Sequence, residues 1–162
     1  VYPLEQEFVQ IINQNQGILH KVCRIYCVNA TEREDLFQEI VLQLWKSFPS
    51  FRGESKMTTW MYRIALNTAI SGVRKKRIAT TDLALFTTQI ADQPQQNNED
   101  ELNRLYKSIE RLSDIEKSIV LLYLEDKPYD EIAEIIGITA NHVAVKMSRI
   151  KEKLRTLLKS ES

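Results

Sequence analysis

A stretch with no apolar side chain beyond the Pro94 ring, Asp92-Gln93-Pro94-Gln95-Gln96-Asn97-Asn98-Glu99-Asp100-Glu101, divides a chain that elsewhere repeats apolar residues at helical spacing. Such a stretch cannot bury enough surface to offset its ordering entropy. The chain is therefore expected to form two separate bodies, residues 1–77 and 102–162, joined by a flexible linker over 78–101. Leu83, Leu85 and Phe86 are the linker's apolar exceptions and are expected to dock on a neighbour. Four Gly and four Pro in 162 residues are too few for a turn-rich β protein, and there is no Gly-rich phosphate loop. The fold class expected is all-α, two small helical domains.

Local signals mark the helices. Phe8, Ile11, Ile12, Leu19, Val22, Cys23 and Tyr26 recur at helical spacing, with an interruption near Gly17. Thr31 and Glu34 have capping-box spacing, and the helix they open should end near Ser47, ahead of Pro49. A loop follows over 50–56, then a helix from about Thr58 to the cluster Arg74-Lys75-Lys76-Arg77. In the second body, Ser113 and Glu116 form another capping box, followed by a helix over 129–136, Gly137, and a long helix capped by Thr139.

Charge shows where partners could bind. Lys plus Arg and Asp plus Glu are each 22, so any nucleic-acid affinity must come from local charge. The last helix places Val143, Met147, Ile150, Leu154 and Leu158 on one stripe, at roughly 100° per residue. Its other side carries Asn141, His142, Val145, Lys146, Ser148 and Arg149. From Asn141 to Lys159 there are six cations and one acid. Helix, Gly-containing turn and basic second helix is the helix-turn-helix arrangement, whose second helix enters the major groove. The alternative is an ordinary helical hairpin with a solvated basic face.

The third helix of the first body repeats this theme. Thr59, Arg63, Asn67, Ile70, Arg74 and Arg77 share a stripe suited to single-stranded or duplex DNA, with Met57, Met61, Ile64, Ala65 and Thr68 opposite. The alternative is cations placed favourably at a helix carboxyl end. On the helix before it, Leu42 and Trp45 lie among Asp35, Gln38 and Glu39, away from the apolar face of Phe37, Ile40, Val41, Leu44 and Phe48. Apolar groups on a polar face point to a protein contact, or to a helix buried on two sides. Trp60 is expected in the core.

Other chemistry finds little support. His20, Cys23 and Cys27 are three possible metal ligands without a fourth, and are read instead as helix-face residues with buried thiols in a reducing cytoplasm. The two histidines lie on separate helices and no nucleophile motif appears, so no catalytic function and no cofactor is expected. No apolar run approaches the roughly 20 residues that span a bilayer, and no signal-peptide pattern opens the chain.

Three segments together resemble the second conserved region of extracytoplasmic-function (ECF) sigma factors: Asp35-Leu36-Phe37-Gln38-Glu39, Phe48-Pro49-Ser50-Phe51-Arg52-Gly53-Glu54-Ser55, and Thr59-Trp60-Met61-Tyr62-Arg63-Ile64-Ala65-Leu66-Asn67-Thr68-Ala69. Residues 112–116 and 129–139 resemble the fourth region. The resemblance implies a cytoplasmic bacterial transcription initiation factor that binds core RNA polymerase and promoter DNA, commonly held by an anti-sigma factor. It implies that Asp35, Gln38, Glu39, Leu42 and Trp45 dock on the polymerase clamp helices. Phe51, Arg52, Lys56, Thr59, Arg63, Asn67, Arg74 and Arg77 would recognise the minus-ten element, with Asn67 near the pocket of an unstacked base. Asn141, His142, Val145, Lys146, Ser148 and Arg149 would read the minus-thirty-five element. Pro128 stands where the family often has a Ser cap, and Ala144-Val145 replace a frequent basic-polar pair, leaving Val145 to touch a thymine methyl. The competing readings are a two-domain helix-turn-helix regulator, its first part a sensor or dimerisation module, and a helical adaptor or anti-sigma-like zinc protein using His20, Cys23 and Cys27.

Overall fold

A computed structural model describes residues 3–80 and 100–160. Among these residues there are eight α-helices and one 3-10 turn, and no strand. The first body comprises α1 (Pro3–Gln14), α2 (Gln16–Tyr26), α3 (Ala30–Ser47), the 3-10 turn Phe48–Ser50, and α4 (Met57–Thr80). The second comprises α5 (Asp100–Glu110), α6 (Asp114–Leu124), α7 (Tyr129–Ile136) and α8 (Ala140–Ser160).

In the first body α2, α3 and α4 pack together around Leu19, Val22, Ile40, Leu44, Met61 and Ala65, all with essentially no exposure. Phe48 and Trp60 close one end of this core, with ring centroids 6.2 Å apart. The core placement expected for Trp60 is therefore observed. In the second body Ile119, Leu122, Ile132, Val143 and Ile150 are fully buried, joining α6, α7 and α8. α6 ends at Leu124, with Ile119 to Leu122 buried and Tyr123 and Leu124 exposed.

Three boundaries differ from the sequence expectation. Asn29, not Thr31, caps α3: its side chain accepts from the Glu32 amide at 2.8 Å. Asn is at least as good an N-cap as Thr, and starting earlier gains helical hydrogen bonds. The break between α1 and α2 falls at Asn15 rather than Gly17, with the Asn15 side-chain amide donating to the Ile11 carbonyl at 2.8 Å. The helices also enter the proposed linker, since α4 continues to Thr80 and α5 starts at Asp100. The rest of that linker, with Leu83, Leu85 and Phe86, lies outside the described residues.

The second body follows its local signals more closely. Ser113 and Glu116 form the full reciprocal capping box at the start of α6. Pro128 precedes α7 without a side-chain cap. Gly137 ends α7 at φ 88°, a left-handed conformation that favours Gly, and its amide reaches the Ala133 carbonyl at 2.8 Å. Thr139 Oγ1 then accepts from the His142 amide at 3.1 Å. No helix of the described residues is long and apolar enough to cross a membrane.

Candidate nucleic-acid and polymerase interfaces

The turn at Gly137 fixes the angle between α7 and α8, so the burial of α8 decides what it presents. Val143, Met147 and Ile150 are buried against α6 and α7. That leaves Asn141, His142, Val145, Ser148 and Arg149 exposed on the opposite side, with Lys146 half-buried at its margin. All six residues expected to face the minus-thirty-five element therefore lie on one accessible surface at the amino-terminal half of α8. Lys153, one turn beyond, points back and pairs with Glu116, so it is spent on the fold.

The expected minus-ten stripe on α4 is divided. Asn67 and Arg74 are exposed, as are Arg52 and Lys56 in the loop before it. Phe51 is half-buried, its ring 5.0 Å from that of Trp60. Thr59 is not the exposed donor that the helical wheel suggests: it is 2% exposed, and its hydroxyl donates to Glu131 Oε1 at 3.4 Å. Arg63 is half-buried and donates to the Glu134 carbonyl at 3.2 Å. Arg77 makes a two-pronged contact with the Asp114 carboxylate, at 2.8 and 3.1 Å. These three residues face the second body, a contact that a wheel drawn for one helix cannot reveal. Ile70, placed on the same stripe, is half-buried against the core. Of the residues expected opposite, Met61 and Ala65 are fully buried, and Met57, Ile64 and Thr68 half-buried.

A cavity of about 590 Å³ opens where the 51–56 loop meets α4. Phe51, Arg52, Trp60 and Arg63 line it from the first body, and Glu134 from the second. It offers aromatic rings, the guanidiniums of Arg52 and Arg63, and hydroxyls from Ser50 and Ser55. Glu54 and Glu134 balance the two guanidiniums, so what the cavity offers is a stacking surface with donors and acceptors, which suits a flat, hydrogen-bonding group.

The other outer surface lies along α3. Asp35, Gln38, Glu39 and Leu42 are exposed, Leu42 by 43%. Trp45 is half-buried, because α1 lays Phe8 against it with ring centroids 5.0 Å apart. The contribution of α1 was not visible in the spacing of α3 alone. Phe8, Val9, Val41, Leu42 and Trp45 line a shallow groove of about 480 Å³, edged by Glu5 and Gln38.

The cysteines turn inward. Cys23 is 2% exposed and Cys27 is 9% exposed, both as free thiols. His20 stacks on Phe37 at 4.8 Å between centroids, on the outside of α2.

Residues 11–78 match the family model for Sigma-70 region 2, and residues 102–154 match that for Sigma-70, region 4. The ECF RNA polymerase sigma-E factor of Haemophilus influenzae is 33% identical over 141 residues, spanning 78% of this chain and 75% of its own. The ECF RNA polymerase sigma factor SigW of Bacillus subtilis is 26% identical over 169 residues, spanning 96% and 90%. Among solved structures, the sigma factor RpoE of Bartonella quintana, crystallised with the anti-sigma factor NepR, aligns over 100% of both chains with a TM-score of 0.75 and 23% identity. CnrH, solved with the cytosolic domain of CnrY, aligns over 98% of this chain and 91% of its own, with a TM-score of 0.72 and 19% identity. These two share the fold. Both matched regions stand in the family's order, the two bodies match them in extent, and α7–α8 is a helix-turn-helix. The chain therefore belongs to the ECF RNA polymerase sigma factors of the sigma-70 family, which direct promoter-specific transcription initiation.

Proposed function

We propose that the three surfaces divide the work of initiation as follows. The α3 surface of Asp35, Gln38, Glu39, Leu42 and Trp45, extended by Phe8 and Val9 of α1, docks on the clamp helices of core RNA polymerase. The 51–56 loop and α4 bind the minus-ten element through Phe51, Arg52, Lys56, Thr59, Arg63, Asn67, Arg74 and Arg77. The first half of α8 reads the minus-thirty-five element through Asn141, His142, Val145, Lys146, Ser148 and Arg149. Residues 1–77 thus form the polymerase-binding and melting unit, 78–101 the linker, and 102–162 the upstream-reading unit.

The observation carrying this reading is the aromatic-walled, hydrogen-bonding cavity beside α4, with exposed Asn67 and Arg74 farther along the same helix. A base captured in such a site recovers part of the energy of unpairing, because stacking and edge contacts replace those lost from the duplex. The chain acts by binding, without a catalytic step, and in the cytoplasm, where its polymerase works. An anti-sigma factor is a further partner; the sigma factor RpoE, which shares this fold, was crystallised with the anti-sigma factor NepR.

The test is Asn67→Ala in an initiation assay with core polymerase. Open-complex formation should fall by about tenfold or more, equivalent to about 1.4 kcal/mol, while affinity for core polymerase stays unchanged. Equal loss of both would remove Asn67 from the melting step.

A further inference from the structure

A chain of aromatic rings joins the two sites of the first body. Phe8 of α1 lies between Trp45 and Phe48, its ring centroid 5.0 Å from one and 5.4 Å from the other. Phe48 meets Trp60 at 6.2 Å, and Trp60 meets Phe51 at 5.0 Å. All four pairs are tilted, by 41° to 58°, and lie at separations that aromatic quadrupoles favour. The middle rings, Phe8, Phe48 and Trp60, are buried, whereas Trp45 and Phe51 at the ends are half-buried. One end of the chain opens in the α3 groove, the other in the cavity beside α4.

The two ends of this chain are held differently. Pro49 restricts the backbone of the 3-10 turn Phe48–Ser50, and the Phe51 amide donates to the Phe48 carbonyl at 3.1 Å. Phe51 therefore follows Phe48 through the backbone as well as through Trp60. At the other end the α1 backbone approaches α3 and α4 less closely than α2 does, so side chains hold it, foremost the buried Phe8 and Ile12. Trp45 and Phe48 meet through the Phe8 ring. In an interior packed to crystal density, a missing ring leaves a gap into which its neighbours shift. We propose that Phe8 is a positioning residue for both sites: it holds Trp45 at the polymerase groove and, through Phe48 and Trp60, sets the Phe51 ring on which a minus-ten base stacks. Phe8 touches no DNA, so its effect on base capture travels only through the rings. This inference rests on the polymerase and minus-ten readings of the two sites.

The experiment uses the full chain, in saturating excess over core polymerase so that weaker docking does not limit the signal, on a promoter recovered from a random library. Phe8→Leu keeps an apolar side chain and removes the ring; Phe8→Met does the same with an unbranched one, should the first variant fold poorly. Either should weaken affinity for core several-fold and, at saturation, lower open-complex formation several-fold. Phe48→Leu should lower open-complex formation by itself. Adding Phe8→Leu to it should then cost little more, because the chain of rings is already broken. Ile12→Val trims the other buried anchor of α1 and should leave open-complex formation unchanged. Trp45→Phe leaves Trp60 as the one tryptophan of the chain. Labelled with fluorotryptophan, the free chain should show a Trp60 fluorine resonance that moves on Phe8→Leu and no longer responds once Phe48→Leu is present. Open-complex formation untouched by both Phe8 variants or lowered equally by Ile12→Val, losses that simply add, or an unmoved Trp60 resonance would each overturn the proposal. If the resonance moves as expected but Phe51→Ala leaves open-complex formation at the wild-type level, the minus-ten reading of the cavity fails and the positioning of its rings by Phe8 stands.

Discussion

Lys153 Nζ on α8 donates to both carboxylate oxygens of Glu116 at the start of α6, at 3.0 and 2.8 Å. Glu116 is also the reciprocal half of the capping box, accepting from the Ser113 amide at 2.9 Å. One carboxylate thus finishes a helix end and fixes the DNA-reading helix against its support.

Burial alone would raise the Glu116 pKa. Hydrogen bonds from Lys153 and from the Ser113 backbone and hydroxyl, with the Lys153 charge, outweigh it and hold the carboxyl below its usual value. A carboxyl depressed in the folded state stabilises the protein fully above its unfolded pKa, about 4.3 for Glu. That contribution fades as pH falls through the lower folded value. Glu116→Gln keeps an acceptor for the cap but loses the charge. Because the Lys153 side chain is 57% exposed, the expected cost is about 1 kcal/mol at neutral pH, or about 2–4 °C in Tm. Thermal unfolding across pH checks this: the gap between wild type and variant should close towards about pH 2. A gap constant with pH would mean the charge plays no part.

Burial, with Cys27 next to it, pushes the Cys23 thiol up to about 12, and Cys27 is raised by burial and by Glu32. The nucleophile in thiol exchange is the thiolate. At about pH 8 neither cysteine should react with an aromatic disulfide in the native protein, and both should react once denaturant unfolds it. Two fast equivalents from the native chain would show that α2 opens on its own.

The parts of this fold legible in the sequence are those set within a few residues. The Ser113–Glu116 box, the Thr139 cap, the turn at Gly137 and the buried stripe of α8 each follow from local hydrogen bonding or helical period. Where two local signals competed, the pattern misled: Thr31 and Glu34 have box spacing, but Asn29 is an equal or better cap and sits earlier. Arg33 then reaches back to the Cys27 and Val28 carbonyls, which anchors that earlier start. Contacts across many residues left no periodic trace. Thr59 and Glu131, or Phe8 and Trp45, come together only when helices pack, so the contact of α4 with α7 and the second wall of the α3 groove emerged only in three dimensions. The α8 residues proved more legible because their exposure follows from the burial of α8 itself.

Leu42 is 43% exposed on α3 and makes one wall of the groove with Val9 and Trp45. Leu42→Asp should leave the isolated chain within about 0.5 kcal/mol of wild type, since the side chain already faces water. Covering a Leu in an interface contributes about 1.5–3 kcal/mol, and a carboxylate buried there unpaired costs more. Association with core polymerase should weaken by about a hundredfold or more. Titration of labelled chain with core enzyme measures this. Normal affinity in a folded variant would move the polymerase contact elsewhere.

Arg149 is exposed on α8, on the same side as Asn141 and Val145 and opposite buried Met147 and Ile150. Its guanidinium is free of any described carboxylate partner, unlike Lys153, so it is available to a phosphate. Each phosphate contact adds about 0.9 to the slope of log affinity against log salt for duplex DNA. For the polymerase holoenzyme on a promoter duplex, Arg149→Ala should lower affinity at low salt and flatten that slope by nearly one contact. Val145→Ala removes methyl groups but no charge, so it should change preference at one base position and leave the slope intact. Measuring both variants over a salt series separates phosphate positioning from base reading on α8. A slope for Arg149→Ala equal to that of wild type would place the phosphate contact on another cation.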